Sequence, residues 1–140
     1  MTIERRSKIF DVDLLLKTAG ALTASGAAGS ILDLGPGYTE ADLVVDVAAV
    51  EVDTGDEIYT VKLQASDQAD FSANVTTLVA FTLGNPEADE DTVVNGAGRY
   101  VVPFSSQKCE TVYPYVRLYV AVAGAAVATG VDFLAFLSNR

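Results

Sequence analysis

Histidine and tryptophan are absent from this 140-residue chain, which holds one cysteine and one methionine. Without imidazole it loses the commonest general base, the commonest metal ligand and every triad built on histidine. A single cysteine, Cys109, permits neither an intrachain disulfide nor a cysteine-built zinc site. A thiolate at Cys109 would lack its usual histidine partner, so the residue reads as a small side chain near a strand end. Basic side chains are also scarce, with 9 Lys and Arg against 19 Asp and Glu for a net charge of −10. That balance argues against direct nucleic-acid binding and against an anionic membrane surface, both of which need clustered positive charge. Long apolar runs are missing as well. The longest uncharged one, "LYVAVAGAAVATGV" at 118–131, is well short of a bilayer span.

What remains is a globular composition, half hydrophobic and one-fifth charged, at a length that can bury a single-domain core without staples. Charge is unevenly spread. Residues 1–17 carry Arg5, Arg6, Lys8 and Lys17 against three acids, a net of +1, while residues 18–140 carry 5 basic and 16 acidic residues, a net of −11. The start imitates a secretory signal, but Asp11, Asp13 and Lys17 interrupt its apolar stretch, so synthesis in the cytoplasm is expected. Residues 18–30, "TAGALTASGAAGS", are small, uncharged and rich in glycine and alanine. They predict an extended linker, with a short helix over "DVDLLLKTAGAL" as the alternative. Residues 1–30 are therefore expected to be a peripheral arm, and 31–140 the folded domain.

Beyond residue 30 the apolar period is two. Strands are expected at 30–34, 43–53, 57–66, 75–83, 99–105, 111–123 and 131–138. In 43–53 the apolar phase switches near Ala48–Ala49, as a β-bulge would make it. "GPG" and "DTGDE" supply turns. Seven or eight short strands joined by glycine-rich turns predict an all-β antiparallel β-sandwich. A jelly roll is the first choice and an immunoglobulin-like sandwich the second.

Sites for chemistry are few. "EADED" gathers Glu87, Asp89, Glu90 and Asp91, which could offer oxygens to calcium. The spacing is not that of a calcium-binding loop, and a solvated acidic loop accounts for it better. Carboxylate pairs could serve glycoside hydrolysis, but nothing in the pattern brings two to a shared cleft. No phosphate-cradling glycine loop and no nucleophile elbow occurs. Catalysis is not expected, nor is a cofactor.

The segment "YPYVRLYVAVAG" at 113–124 has two chemically different faces. Pro114, Val116, Leu118, Val120 and Val122 form an apolar row. Tyr113, Tyr115, Arg117 and Tyr119 form the other, and alternate side chains of a strand leave opposite faces. Tyrosine suits a solvated strand face. Yet Tyr and Arg are the types enriched at interface hot spots, and the terminal strand is apolar on both faces, with Leu134 and Phe136 opposite Phe133 and Leu137. The two features together predict a protein contact surface at Tyr113, Tyr115, Arg117, Tyr119, Leu134 and Phe136. Arg5, Arg6 and Lys8 would dock by charge on an acidic neighbour.

The order of these features resembles the capsid decoration, or cement, proteins of tailed double-stranded DNA bacteriophages. The resemblance lies in "SKIFDVDLLLKTAGALTASGAAGSILDLG", "DVAAVEVDTGDEIYTVKLQASDQADF", "GRYVVPFS", "YPYVRLYVAVAG" and "VDFLAFL". It is one of pattern, without an invariant motif, and "NPEADED" has no counterpart. It implies a jelly roll that binds the outer capsid surface, bridges major-capsid subunits and self-associates as a dimer or trimer. Two other possibilities compete: a carbohydrate- or calcium-binding β-sandwich, and another virion component such as a head–tail joining protein.

Overall fold

The computed structural model describes residues 12–51, 57–84, 97–124, 127 and 129–139. Alternating apolar side chains produce strands throughout, and the helical element among the described residues is one 3-10 turn, Val12–Leu14. The strands are β1 (Leu15–Lys17), β2 (Ala21–Leu22), β3 (Gly26–Asp33), β4 (Glu40–Val50), β5 (Ile58–Ser66) and β6 (Thr76–Gly84). They continue with β7 (Gly98–Ser105), β8 (Gln107–Lys108), β9 (Thr111–Val112), β10 (Tyr115–Ala123) and β11 (Val131–Asn139).

Two sheets carry the fold. Sheet A has the order β1-β11-β4-β7, with β2 also on β11, and sheet B has the order β3-β10-β5-β6. A small β8–β9 hairpin stands apart. Every pairing is antiparallel. The all-β antiparallel sandwich expected from the sequence is the fold of the protein. Its ladder is nested: β1 pairs with β11, β3 with β10, β4 with β7 and β5 with β6, while β11–β4 and β10–β5 join the pairs into sheets. The sheets approach at both margins, β1 against β3 and β6 against β7.

The core lies between the sheets. Leu43, Val45 and Val47 of β4 and Phe133, Ala135 and Leu137 of β11 enter from sheet A. Tyr59, Val61 and Leu63 of β5 and Val116, Leu118 and Val120 of β10 enter from sheet B. Each full Leu or Val burial contributes roughly 1.5–3 kcal/mol, which makes this alternation decisive for register. The phase switch in β4 is a bulge. Ala49 faces Asp132 and Val47 faces Phe133, so Ala48 is the extra residue. A second bulge on β6 leaves Leu78 between the partners of Leu63 and Gln64. It reverses the side-chain phase below it, and Val75, which strict alternation over 75–83 puts on one face with Val79, Phe81 and Leu83, is 41% exposed.

Two expectations are corrected. The single strand over 111–123 is two, β9 and β10, broken at Tyr113–Pro114. There the Tyr113 amide donates to the Ser106 carbonyl and the Pro114 carbonyl accepts from Leu34. Proline has no amide to continue a ladder, so the break falls where the chemistry requires it. The second correction concerns residues 12–30, expected to be a peripheral linker or short helix. They form β1, β2 and most of β3, and Leu16 is 1% exposed. The small side chains at the start of β3 are what the packing needs. Gly29 has φ +79°, and a Cβ there would sit 1.8 Å from the Leu16 carbonyl oxygen, so β1 can lie against β3 only over a glycine.

Candidate protein interaction surface

β10 divides as its sequence predicts. Val116, Leu118 and Val120 are fully buried in the core, and Tyr115, Arg117 and Tyr119 are half-buried on the outer face of sheet B. Their neighbours on β5 are Ser66, Gln64 and Lys62, directly opposite Tyr115, Arg117 and Tyr119 respectively. On the other side, β3 bulges. Val116 faces Leu32 and Leu118 faces Ala28, so Gly29, Ser30 and Ile31 stand opposite Arg117, with Ile31 41% exposed.

Arg117 is held from two sides. Its Nε donates to Gln64 Oε1 at 3.0 Å, and its guanidinium lies 4.4 Å from the centroid of the Phe71 ring. Phe71 is itself buried in the 67–75 connection at φ +55°. That loop is fastened by Ser66 Oγ, which donates to the Ala73 carbonyl at 2.6 Å and accepts from the Gln68 amide at 3.0 Å. Asn74 Nδ2 donates to both oxygens of Asp67. A guanidinium over an aromatic face is favourable by roughly 0.5–1 kcal/mol at an exposed site. Lys62 Nζ lies 6.0 Å from the Tyr119 centroid and adds a second cation to this face, while Asp33 stands opposite Tyr115 at its other end. Sequence reasoning found the row but missed Phe71 and Gln64. "DQADFSAN" has no periodicity to mark an aromatic that folds back over a sheet.

The other predicted residues are distributed differently. Tyr113 is outside the row, packed against the core beside the β9–β10 break. Leu134 is half-buried and Phe136 is 1% exposed, both on the outer face of sheet A. The expectation that β11 is buried on both faces holds at Phe136 and at its cross-strand neighbour Val44, which is 0% exposed. Arg99 contributes there, its guanidinium 5.7 Å from the Phe136 centroid while it grips Asp46 through Nε and Nη2 at 2.6 and 2.9 Å. Phe136 is thus closed in within a single chain and offers a partner no surface, which corrects its assignment as an interface residue. Arg5, Arg6 and Lys8, residues 53–56 of the "DTGDE" turn, and Glu87, Asp89, Glu90 and Asp91 lie outside the described residues, while Glu57 at the end of that turn is fully buried. Cys109 is exposed at the β8–β9 turn with φ +57°.

Two buried charged groups serve the architecture. Lys17 Nζ donates to the carbonyls of Thr18, Gly20 and Phe133 at 2.9, 2.6 and 2.8 Å and lies over the Phe133 ring. Burial lowers its pKa from the ordinary lysine value, and the nearby Asp132 carboxylate opposes that shift. Lys17→Met keeps the apolar stem and removes the donors. It should cost about 2 kcal/mol in urea unfolding. Glu51 Oε2 accepts from the amides of Thr129 and Gly130, each at 2.7 Å, and so ties the end of β4 to the start of β11. Glu51 and Asp132 border an open cleft of about 300 Å³ between Ala21, Val50 and Gly130. Asp132 Oδ1 accepts the Gly20 amide. Both carboxylates in this cleft hold backbone. Among the described residues no three of His, Cys, Asp and Glu gather as metal ligands would, and no helix is long and apolar enough to cross a membrane.

Neither the protein-family models nor the curated proteins contain a match to this chain.

Proposed function

We propose that this protein is an adhesive structural component of a virion: a decoration protein that binds the outer surface of a tailed-phage capsid and bridges major-capsid subunits. The observation that carries this is the outer face of sheet B, where Tyr115, Arg117 and Tyr119 stand in a row on a rigid sheet with the arginine held in place. Interface hot spots are built from these residue types, in settings that cost little entropy to order. The nested ladder supports a jelly roll, because pairing first strand with last, second with second-last and so inward is how a rolled antiparallel ribbon pairs. That is the architecture the resemblance implies. Individual contacts can be weak, since repeated copies on a shell add through multivalency. Self-association as a dimer or trimer would raise the valency further. Catalysis and cofactor binding have no part in this function.

Co-sedimentation tests it. Purified chain mixed with tailed-phage heads stripped of their own decoration protein should pellet with the heads and saturate at a fixed number of copies per capsomer. A chain that stays in the supernatant at micromolar concentration removes the capsid function.

A further inference from the structure

We infer that the outer face of sheet B is a receptor for a single carboxylate, an Asp or Glu side chain on an extended segment of the partner protein, with Arg117 as its anchor. This names the partner chemistry of the adhesive surface proposed above, and rests on that proposal only for where the partner is found.

The reasoning starts from how the cations of this acidic chain are used. Arg99 spends its guanidinium fork on Asp46. Lys17 is consumed by three carbonyls, and Lys108 Nζ donates to the Thr77 carbonyl at 2.8 Å. Arg117 differs. It is fixed by one nitrogen and one face, Nε on Gln64 and the ring plane on Phe71, and among the described residues no carboxylate pairs with it. Its two Nη groups therefore remain unpaired among the described residues, and one N–H from each points in parallel along the outer edge of a plane that cannot rotate freely. That edge matches the two oxygens of a carboxylate. Preorganisation matters because a mobile arginine would lose rotamer freedom on binding.

The flanks have matching chemistry. Tyr115 and Tyr119 stand two residues to either side of Arg117 on the same face, each about 6.7 Å along the strand. Among the described residues neither hydroxyl has a hydrogen-bond partner, in contrast to Tyr59 and Tyr38, whose hydroxyls donate to the Glu51 carbonyl and to Glu40 Oε1. Ile31, exposed in the β3 bulge opposite Arg117, adds an apolar neighbour. An extended segment with an acid at its centre and apolar residues two positions away has the same period as this row. A polyanion such as nucleic acid fits poorly, since the chain as a whole carries a net charge of −10 and this face offers no run of cations.

The test uses the isolated chain and needs no capsid. A blocked peptide Leu-Thr-Glu-Thr-Leu is titrated against ¹⁵N-labelled protein, with Leu-Thr-Gln-Thr-Leu and inorganic phosphate as the other arms. The expected result is millimolar binding of the Glu peptide with shifts at the Arg117 side-chain N–H signals. The Gln peptide should bind at least about tenfold more weakly, as loss of a charge-assisted pair requires. Arg117→Gln should lose binding while keeping its melting temperature within a few degrees, Arg117→Lys should retain part of it, and Tyr119→Phe should weaken it a few-fold. Equal binding of the Glu and Gln peptides, unchanged binding by Arg117→Gln, or no binding of the Glu peptide at millimolar concentration overturns the receptor. So does displacement of the peptide by equimolar phosphate, which would reassign the ligand. Failure here leaves co-sedimentation with heads to stand or fall separately.

Discussion

Gly130→Ala should destabilise the protein by about 3 kcal/mol or more and lower its melting temperature by about 10 °C. Three effects add at this position. Gly130 has φ +69°, a conformation that costs an L-residue roughly 1–2 kcal/mol. A Cβ would lie 1.8 Å from the Leu22 carbonyl oxygen and 2.7 Å from its carbon, so β2 would have to lift off β11. The Gly130 amide and carbonyl also clamp Glu51, accepting its amide at 3.0 Å and donating to its carboxylate at 2.7 Å, and any shift strains both bonds. Gly26→Ala is the internal control. A Cβ there meets nothing within 4 Å, so stability should be unchanged or slightly raised. Thermal unfolding of both variants decides the matter. Equal melting temperatures would show that β2 is not held where the structure puts it.

Arg117→Glu should leave a folded chain that no longer co-sediments with phage heads. The change removes the Gln64 hydrogen bond and the stacking on Phe71, each worth about 1 kcal/mol, so the isolated protein should melt about 5 °C lower at most. Gln64 can turn its amide and donate to the new carboxylate, which limits the damage. At the interface the same change replaces an attraction to an acidic partner with a repulsion. Hot-spot substitutions of that kind cost 2 kcal/mol or more per contact, and the loss multiplies over every copy on a shell. Circular dichroism and melting establish the fold, and sedimentation reads the adhesion. A folded Arg117→Glu chain that still pellets with heads would remove sheet B from the contact.

Much of the fold was legible because burial on one face writes itself into alternate residues. The inward rows of β4, β5, β10 and β11 and the bulge at Ala48 follow from the apolar period and its slip. The opening segment was misjudged for the same reason. The start of β3, Gly26–Ser30, is made of small residues whose value lies in letting backbones approach, as Gly29 does beneath Leu16, and a missing side chain leaves no periodicity to read. The bulge at Leu78 shifts the phase of the residues before it, and the apolar period of 75–83 does not mark it, so Val75 does not share the face of Val79.

The candidate surface divides along the same line. Sequence alone determined that Tyr115, Arg117 and Tyr119 share one face, since a strand that buries Val116, Leu118 and Val120 has no other place for them. It determined too that the chain lacks imidazole, paired thiols and spare positive charge. Only the tertiary structure decided that Phe71, 46 positions earlier, lies under Arg117, that Gln64 holds its Nε, and that Phe136 is closed in. Local pattern records which way a side chain points, because that depends on backbone geometry two residues away. What it meets there depends on chain closure between distant segments, and no short-range period carries that information.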